Sequence, residues 1–283
     1  MSTAETPSEV SNLTEAFKTR ADTYEKRTGS ATRAVMKHLV SVLPPPPTDA
    51  VVLDNACGTG FVTDELLKAF PDSNLKIHAV DVSEGMINIM KALVEQKGWE
   101  KNVEAKVMNG QQLEFPENTF DLSITNFGIF FFPGPAAGVK EIYRTLKPKG
   151  TAVVTCWKVI GLVPIFYEVQ KIVNPAKPIK LETLEKWMDK ETLVQTMGQG
   201  GFRLVEIEEK DVTMVQDTWN NMVEGVKMFI ESCVKNLWTP EEFAKIETAS
   251  KEVLKEQSEK LCVVQDGKPC LNFTAWEAFA KKA

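Results

Sequence analysis

The stretch "VVLDNACGTG", Val51–Gly60, decides the fold. A run of β-formers ends in an acid, and Ala56, Gly58 and Gly60 crowd the turn that follows. Glycine loses the most conformational freedom on folding, so such a turn directly after a strand marks a close approach to the backbone. The chain beyond it alternates. Strands are predicted over Ala50–Leu53, Lys76–Val80, Val103–Met108, Phe120–Thr125 and Ala152–Trp157, and helices over Val62–Phe70, Glu84–Lys97 and Ala136–Leu146. That rhythm gives an α/β, doubly wound parallel sheet with helices on both faces. Ligands of such sheets bind outside the carboxyl ends of the strands, where this turn sits.

Outside that unit the pattern changes. An amphipathic helix is predicted over residues 11–27, with Leu13, Phe17, Ala21 and Tyr24 at helical spacing and Gly29 as its stop. A second helix over 31–42 carries Ala31, Val35, Leu39 and Val42 on one stripe, and Pro44–Pro47 form a stiff extended spacer. Residues 1–47 are thus an N-terminal helical arm and 48–211 the core. The core ends with a helix at Lys190–Met197 and a strand at "GFRLVEIEE", 201–209. Residues 212–258 read as a helical hairpin, a cap inserted before the last strand. Trp219, Met222, Val226, Phe229 and Cys233 share a face of its first helix, and "TPEE", Thr239–Glu242, is a capping box that opens its second. Residues 259–283 hold the last strand and a polar tail.

The chain has 283 residues, a net charge of −6 and 43% hydrophobic residues. Its pI of about 5.3, with no Lys/Arg run longer than a pair, argues against a nucleic-acid surface. "MSTAETPSEV" is not a secretory signal, and prolines or a lysine break the long apolar stretches, so no membrane span is expected. Five scattered cysteines without a CxxC pair read as reduced thiols of a cytoplasmic protein. No metal is expected: Asp121 begins strand four, the wrong end, and strand five ends in Cys156 and Trp157.

A P-loop needs Lys-Ser/Thr after the last glycine, and there is none. The dinucleotide pattern G-x-G-x-x-G is replaced by A-x-G-x-G. A nucleoside bound without a pyrophosphate is the third reading. Asp81 supports it: it ends the second strand 21 positions after Gly60, where an acid can accept from both ribose hydroxyls.

"VVLDNACGTG" and "AVDVS" resemble the glycine turn and acidic ribose strand of class I S-adenosylmethionine-dependent methyltransferases. "NGQQLEFPENTFDLSITNFGIFFFP", "LKPKGTAVVTCW" and "TLVQTMGQGGFRLVEI" resemble later segments of that family in the right order, across about Val51–Ile207. The resemblance is nearest to the small-molecule branch related to ubiquinone and menaquinone methyltransferases. It implies a Rossmann-like seven-stranded sheet and S-adenosylmethionine as cofactor. It also implies that Asp54, Ala56, Gly58 and Gly60 shape the pocket for the methionine part. Asp81 would hold the ribose, Val82 and Met86 would lie against the adenine, and Gly110 and Gln111 would follow Asn109 near the adenine amine. Asn109 stands where an acid is common, so charge-assisted strength is lost there. Asn126 would lie near the transferable methyl, and Tyr24 would close over the methionine end.

Phe127, Phe131, Phe132 and Trp157 fall at the ligand edge of the sheet, and Trp219, Met222, Phe229 and Trp238 line the cap, so a small, partly apolar substrate is expected. The chain's two histidines, His38 and His78, fall on a helix stripe expected to pack in the core and inside strand two. A phenol or alcohol acceptor wants a base tuned near neutral pH. A thiol has a free pKa near 8.5 and needs less help. Sulfur is therefore the expected acceptor, and the short arm and late hairpin resemble fungal S-methyltransferases of gliotoxin-type dithiols. O- or N-methylation of a small aromatic or quinol, and a non-catalytic cofactor-binding regulator, are the alternatives. A monomer is expected.

Overall fold

The computed structural model describes residues 24–235 and 237–283, with side chains from residue 30 onward. Residues 11–23 of the predicted 11–27 helix therefore lie outside the described residues. Helix α1 runs Tyr24–Val42 straight through Gly29, so that glycine does not stop it. Ala31, Val35 and Leu39 are buried on its inner face as the stripe requires, but Val42 is 47% exposed because the chain turns toward the prolines there.

The sheet contains β1 (Val51–Asn55), β2 (Lys76–Asp81), β3 (Val103–Val107), β4 (Phe120–Asn126), β5 (Leu146–Ile160), β6 (Val205–Val215), β7 (Val263–Gln265) and β8 (Lys268–Lys281). Its order is β3-β2-β1-β4-β5-β8-β6, with β7 on β8. β1 to β5 are parallel, and β8 lies antiparallel between β5 and β6. The seven-stranded sheet of the sequence reading is present, and β7 is an addition. It forms a hairpin with β8 across Asp266 and Gly267, both at positive φ, as a two-residue Asp-Gly turn requires. The inner strands are almost wholly buried because helices cover both faces. β1 and β4 are neighbours while β2 and β5 flank them outward, so the topological switch lies between the carboxyl ends of β1 and β4.

Helices α2 (Phe61–Ala69), α3 (Glu84–Lys97) and α4 (Pro135–Thr145) connect these strands. Ser83 caps α3, its hydroxyl accepting from the Met86 N–H, and Gly98 closes it in the left-handed conformation. After β5 the sequence reading missed α5 (Leu162–Val173) and α6 (Glu182–Met188), which precede α7 (Lys190–Gly200). α5 opens on the apolar run Leu162–Phe166, with Pro164 inside it, and periodicity alone does not separate so short an apolar run from a buried strand.

β6 starts later than predicted and runs to Val215, so the cap helices begin at Trp219 rather than 212. They are α8 (Trp219–Val234), α9 (Pro240–Phe243) and α10 (Ile246–Leu261). The capping box at Thr239 and Glu242 is formed as read, but the helix it opens lasts a single turn before α10 resumes. α10 packs on α5 and α8, so α5 is part of the same helical layer.

Candidate functional site

The turn after β1 is built from unusual backbone. Ala56, Gly58 and Gly60 all have positive φ, at 58°, 54° and 94°. A Cβ on Gly58 would meet nothing within 4 Å, whereas one on Gly60 would stand 2.4 Å from Met90 Sδ. Gly58 therefore leaves the turn open toward the crevice, and Gly60 lets α3 pack close. Ala56 takes the left-handed conformation without glycine's freedom, at a cost of about 1 kcal/mol.

Asp54 is 1% exposed. Its Oδ2 accepts from Thr63 Oγ1 at 2.8 Å, and its Oδ1 has no partner. Burial pushes its carboxyl up to about 7 against the Thr63 hydrogen bonds, and the nearby Asp81 charge adds to the rise. Asp81, half-buried, accepts from the Gly58 N–H at 3.0 Å and the Ser83 N–H at 2.8 Å. The second acid thus organises the glycine turn and the start of α3. Val82 beside it is 55% exposed, and Met86 is buried one turn on.

Asn109 Oδ1 accepts from the Gln111 N–H at 3.0 Å, and Gln111 Oε1 accepts from the Gly134 N–H at 2.6 Å. Gln111 therefore staples the loop after β3 to the start of α4. Gly110 is needed there: a Cβ would stand 2.5 Å from both Asn55 Oδ1 and Phe132 Cζ. The half-buried Phe132 ring also fills the space beside Gly138.

At the end of β4, Asn126 Oδ1 accepts from Thr155 Oγ1 at 2.9 Å. Phe127 and Trp157 are buried and stacked on each other at 3.9 Å. Phe131 stays half-buried next to Phe130. The structure thus brings Phe127, Trp157 and Asn126 together at the carboxyl end of β4.

The cap residues divide. Met222 is fully buried, Trp238 is buried and stacked on Phe166, Phe229 is half-buried and Trp219 is 41% exposed. Tyr24 opens α1, and its side chain lies outside the described residues. His38 is not a plain core residue: its Nδ1 lies 3.0 Å from Glu277 Oε2, a carboxylate wholly buried in β8. His78 packs edge-on against Phe115 and Phe120. Cys57 is buried, and burial raises its thiol well above the ordinary range, which leaves it no nucleophilic role. Among the described residues no group of three or more His, Cys, Asp or Glu is placed to hold a metal, and no helix is long and apolar enough to cross a membrane.

Thr63 and Thr155, which hold Asp54 and Asn126, were missed from sequence. Thr63 carries a local signal, a hydroxyl in the first turn after the glycines. Thr155 carries none, because its role depends on the β4–β5 register.

A family model described as "Methyltransferase domain" matches residues 52–150. A demethylmenaquinone methyltransferase of Corynebacterium kroppenstedtii is 30% identical over 236 residues, covering 78% of this chain and 92% of the relative. The chain belongs to the class I S-adenosylmethionine-dependent methyltransferases. The methyltransferase tpcH of Aspergillus fumigatus is 29% identical over 204 residues, 68% of this methyltransferase and 71% of that one. The acetylaranotin bis-thiomethyltransferase of Aspergillus terreus is 25% identical over 213 residues, 70% of each chain. A Haemonchus contortus phosphoethanolamine N-methyltransferase, solved with S-adenosylhomocysteine, shares the fold with a TM-score of 0.58 at 17% identity, covering 97% of this chain and 60% of that one. The methyltransferase's own residues fit such a cofactor. Asp54 Oδ1 is buried without a protein partner, and the turn is open at Gly58.

Proposed function

We propose that this methyltransferase acts on a thiol of a small, partly apolar metabolite. The observation that carries this reading is the edge beyond β4 and β5. The stacked Phe127 and Trp157 form an apolar shelf beside Asn126, and both histidines are engaged elsewhere. A shelf of that chemistry favours an aromatic or apolar acceptor, and without a nearby imidazole it favours one that ionises readily, as a thiol does. One of the fungal relatives is named as a bis-thiomethyltransferase.

In this reading Asp81 takes the ribose hydroxyls, Val82 and Met86 flank the adenine, and the loop of Asn109, Gly110 and Gln111 lies near its amine. Asp54 and the turn of Ala56, Gly58 and Gly60 receive the methionine part, with Asn126 beside the methyl and Tyr24 closing over it. When bound, S-adenosylmethionine supplies the electrophilic methyl and its own leaving group. The chain aligns the acceptor and excludes water, with α1 and the helices α5, α8 and α10 as cover. Phe131, Phe132, Trp219 and Phe229 keep enough exposure to reach a substrate, whereas Met222 acts as packing.

A second reading, methylation of a quinol or phenol, is favoured by the demethylmenaquinone relative. Mass spectrometry separates the two. Protein and S-adenosylmethionine are incubated with dithiothreitol, thiophenol, phenol, hydroquinone and benzylamine. Methyl gain confined to the thiols is expected. Gain on phenol or hydroquinone alone overturns the sulfur reading.

A further inference from the structure

The carboxyl end of β4 is strained and braced from β5. Phe127 has φ +54°, a conformation that a bulky side chain seldom adopts and that clusters at functional sites. Its N–H donates to Thr155 Oγ1 at 2.9 Å, and its ring is clamped by Trp157. Thr155 is fully buried. A hydroxyl has one proton and two lone pairs. One lone pair of Thr155 takes the Phe127 N–H, and the single proton goes to Asn126 Oδ1 at 2.9 Å. In that bond the amide oxygen faces β5, and the NH2 lies on the side away from β5.

We propose that Thr155 is a positioning residue for methyl transfer, locking the Asn126 amide with its NH2 presented to the crevice between β4 and the β1 turn. The proposal rests on the reading that Asn126 stands beside the transferable methyl. Two neutral donors held in one orientation would fix an acceptor lone pair, or steady an anionic sulfur, without a side-chain search in each turnover.

Thr155→Val removes the hydroxyl at nearly constant shape, and Thr155→Ser keeps it. The first readout is the side-chain NH2 resonance pair of Asn126 in 15N-asparagine-labelled protein, assigned by its loss in Asn126→Ala. The pair is expected to shift and broaden in Thr155→Val and to hold its place in Thr155→Ser. The second readout is turnover of the panel acceptor that gains most methyl. For Thr155→Val a kcat loss of about tenfold or more is expected, with acceptor KM and S-adenosylhomocysteine affinity within about twofold. Thr155→Ser should recover most of the rate. An unmoved NH2 pair in Thr155→Val, or equal losses in the Val and Ser variants, overturns the proposal. Full turnover in Thr155→Val beside a crippled Asn126→Ala overturns it alone. Full turnover in Asn126→Ala instead removes the parent reading of Asn126, while the resonance still reports on the brace. If Thr155→Val does not fold, Thr155→Ala carries the same comparison.

Discussion

A buried carboxyl titrating near neutrality makes Asp54 the residue whose behaviour is easiest to check. Burial raises it from 3.8 to about 7. Between those values the folded chain keeps a proton that the unfolded chain has released, so stability falls as pH rises through this window and levels off above it. Asp54→Asn removes the penalty. Relative to the parent it should gain stability from pH 5 to pH 8, by at most roughly 3 kcal/mol, since about two pH units of the window lie between pH 5 and pH 7, read from thermal melts at the two pH values. A gap that does not widen toward pH 8 contradicts the assignment. If the bound methionine ammonium needs the ionised form, S-adenosylhomocysteine affinity should weaken below pH 7, by up to about tenfold per unit; calorimetry from pH 5.5 to 8.5 measures it. Ala56 offers a different test. With φ at +58°, Ala56→Gly should stabilise the fold by up to about 1 kcal/mol, or about 2 °C in melting temperature. A lower melting temperature would show that the Ala56 methyl packing outweighs the strain. The places of Asp54, Asp81 and Asn126 at the carboxyl ends of their strands, and of Gly58 in the turn after β1, were legible from the sequence because each stands in a fixed motif. Thr155 and the packing of Phe132 were not, because the first depends on the β4–β5 register and the second on how the loop after β3 meets α4.

Helix α1 is held to the core by charge as well as by its apolar stripe. Arg33 Nη1 donates to Asp64 Oδ2 at 2.6 Å and to Glu65 Oε1 at 2.7 Å, and its guanidinium lies over the Phe61 ring. Both acids sit in the first turns of α2, directly after the glycine turn, and both are nearly buried. Arg33→Ala would leave these carboxylates to Lys68, which is half in solvent. Removing one partner of a buried pair costs about 3–5 kcal/mol, and the remaining lysine should reduce that to about 2. The expected result is a lower melting temperature together with faster hydrogen exchange in α1. Exchange unchanged in α1 would mean that its apolar face alone holds it. Elements with clean periodicity, such as α3, match their predicted limits to the residue. α5 and α6 were missed for different reasons: the first opens on the apolar run Leu162–Phe166 with Pro164 inside it, and the second spans only 182–188.

At the scale of the whole molecule, the last strand matters most. The sequence places β8 at the end of the chain, but only the sheet shows that it lies between β5 and β6. Among the described residues β6 has no other neighbour in the sheet, so its ladder from Val205 to Val215 depends on residues 270–280. β8 also brings Glu277 beneath His38 of α1, and Lys282 Nζ donates to the carbonyls of Arg144 and Leu146 at the base of β5. These contacts join the two ends of the chain, and such long-range pairings form late because loop closure precedes any gain from them. A chain ending at Leu261 should therefore lose more than an edge. It should release β6, leave the outer face of β5 unpaired and free α1 from Glu277. Circular dichroism should find residual helix but no cooperative thermal transition in that truncation, and the released edges should make it aggregate. A cooperative melt within a few degrees of the full chain would show instead that β1 to β5 and their helices fold as a unit without the strand that completes the sheet.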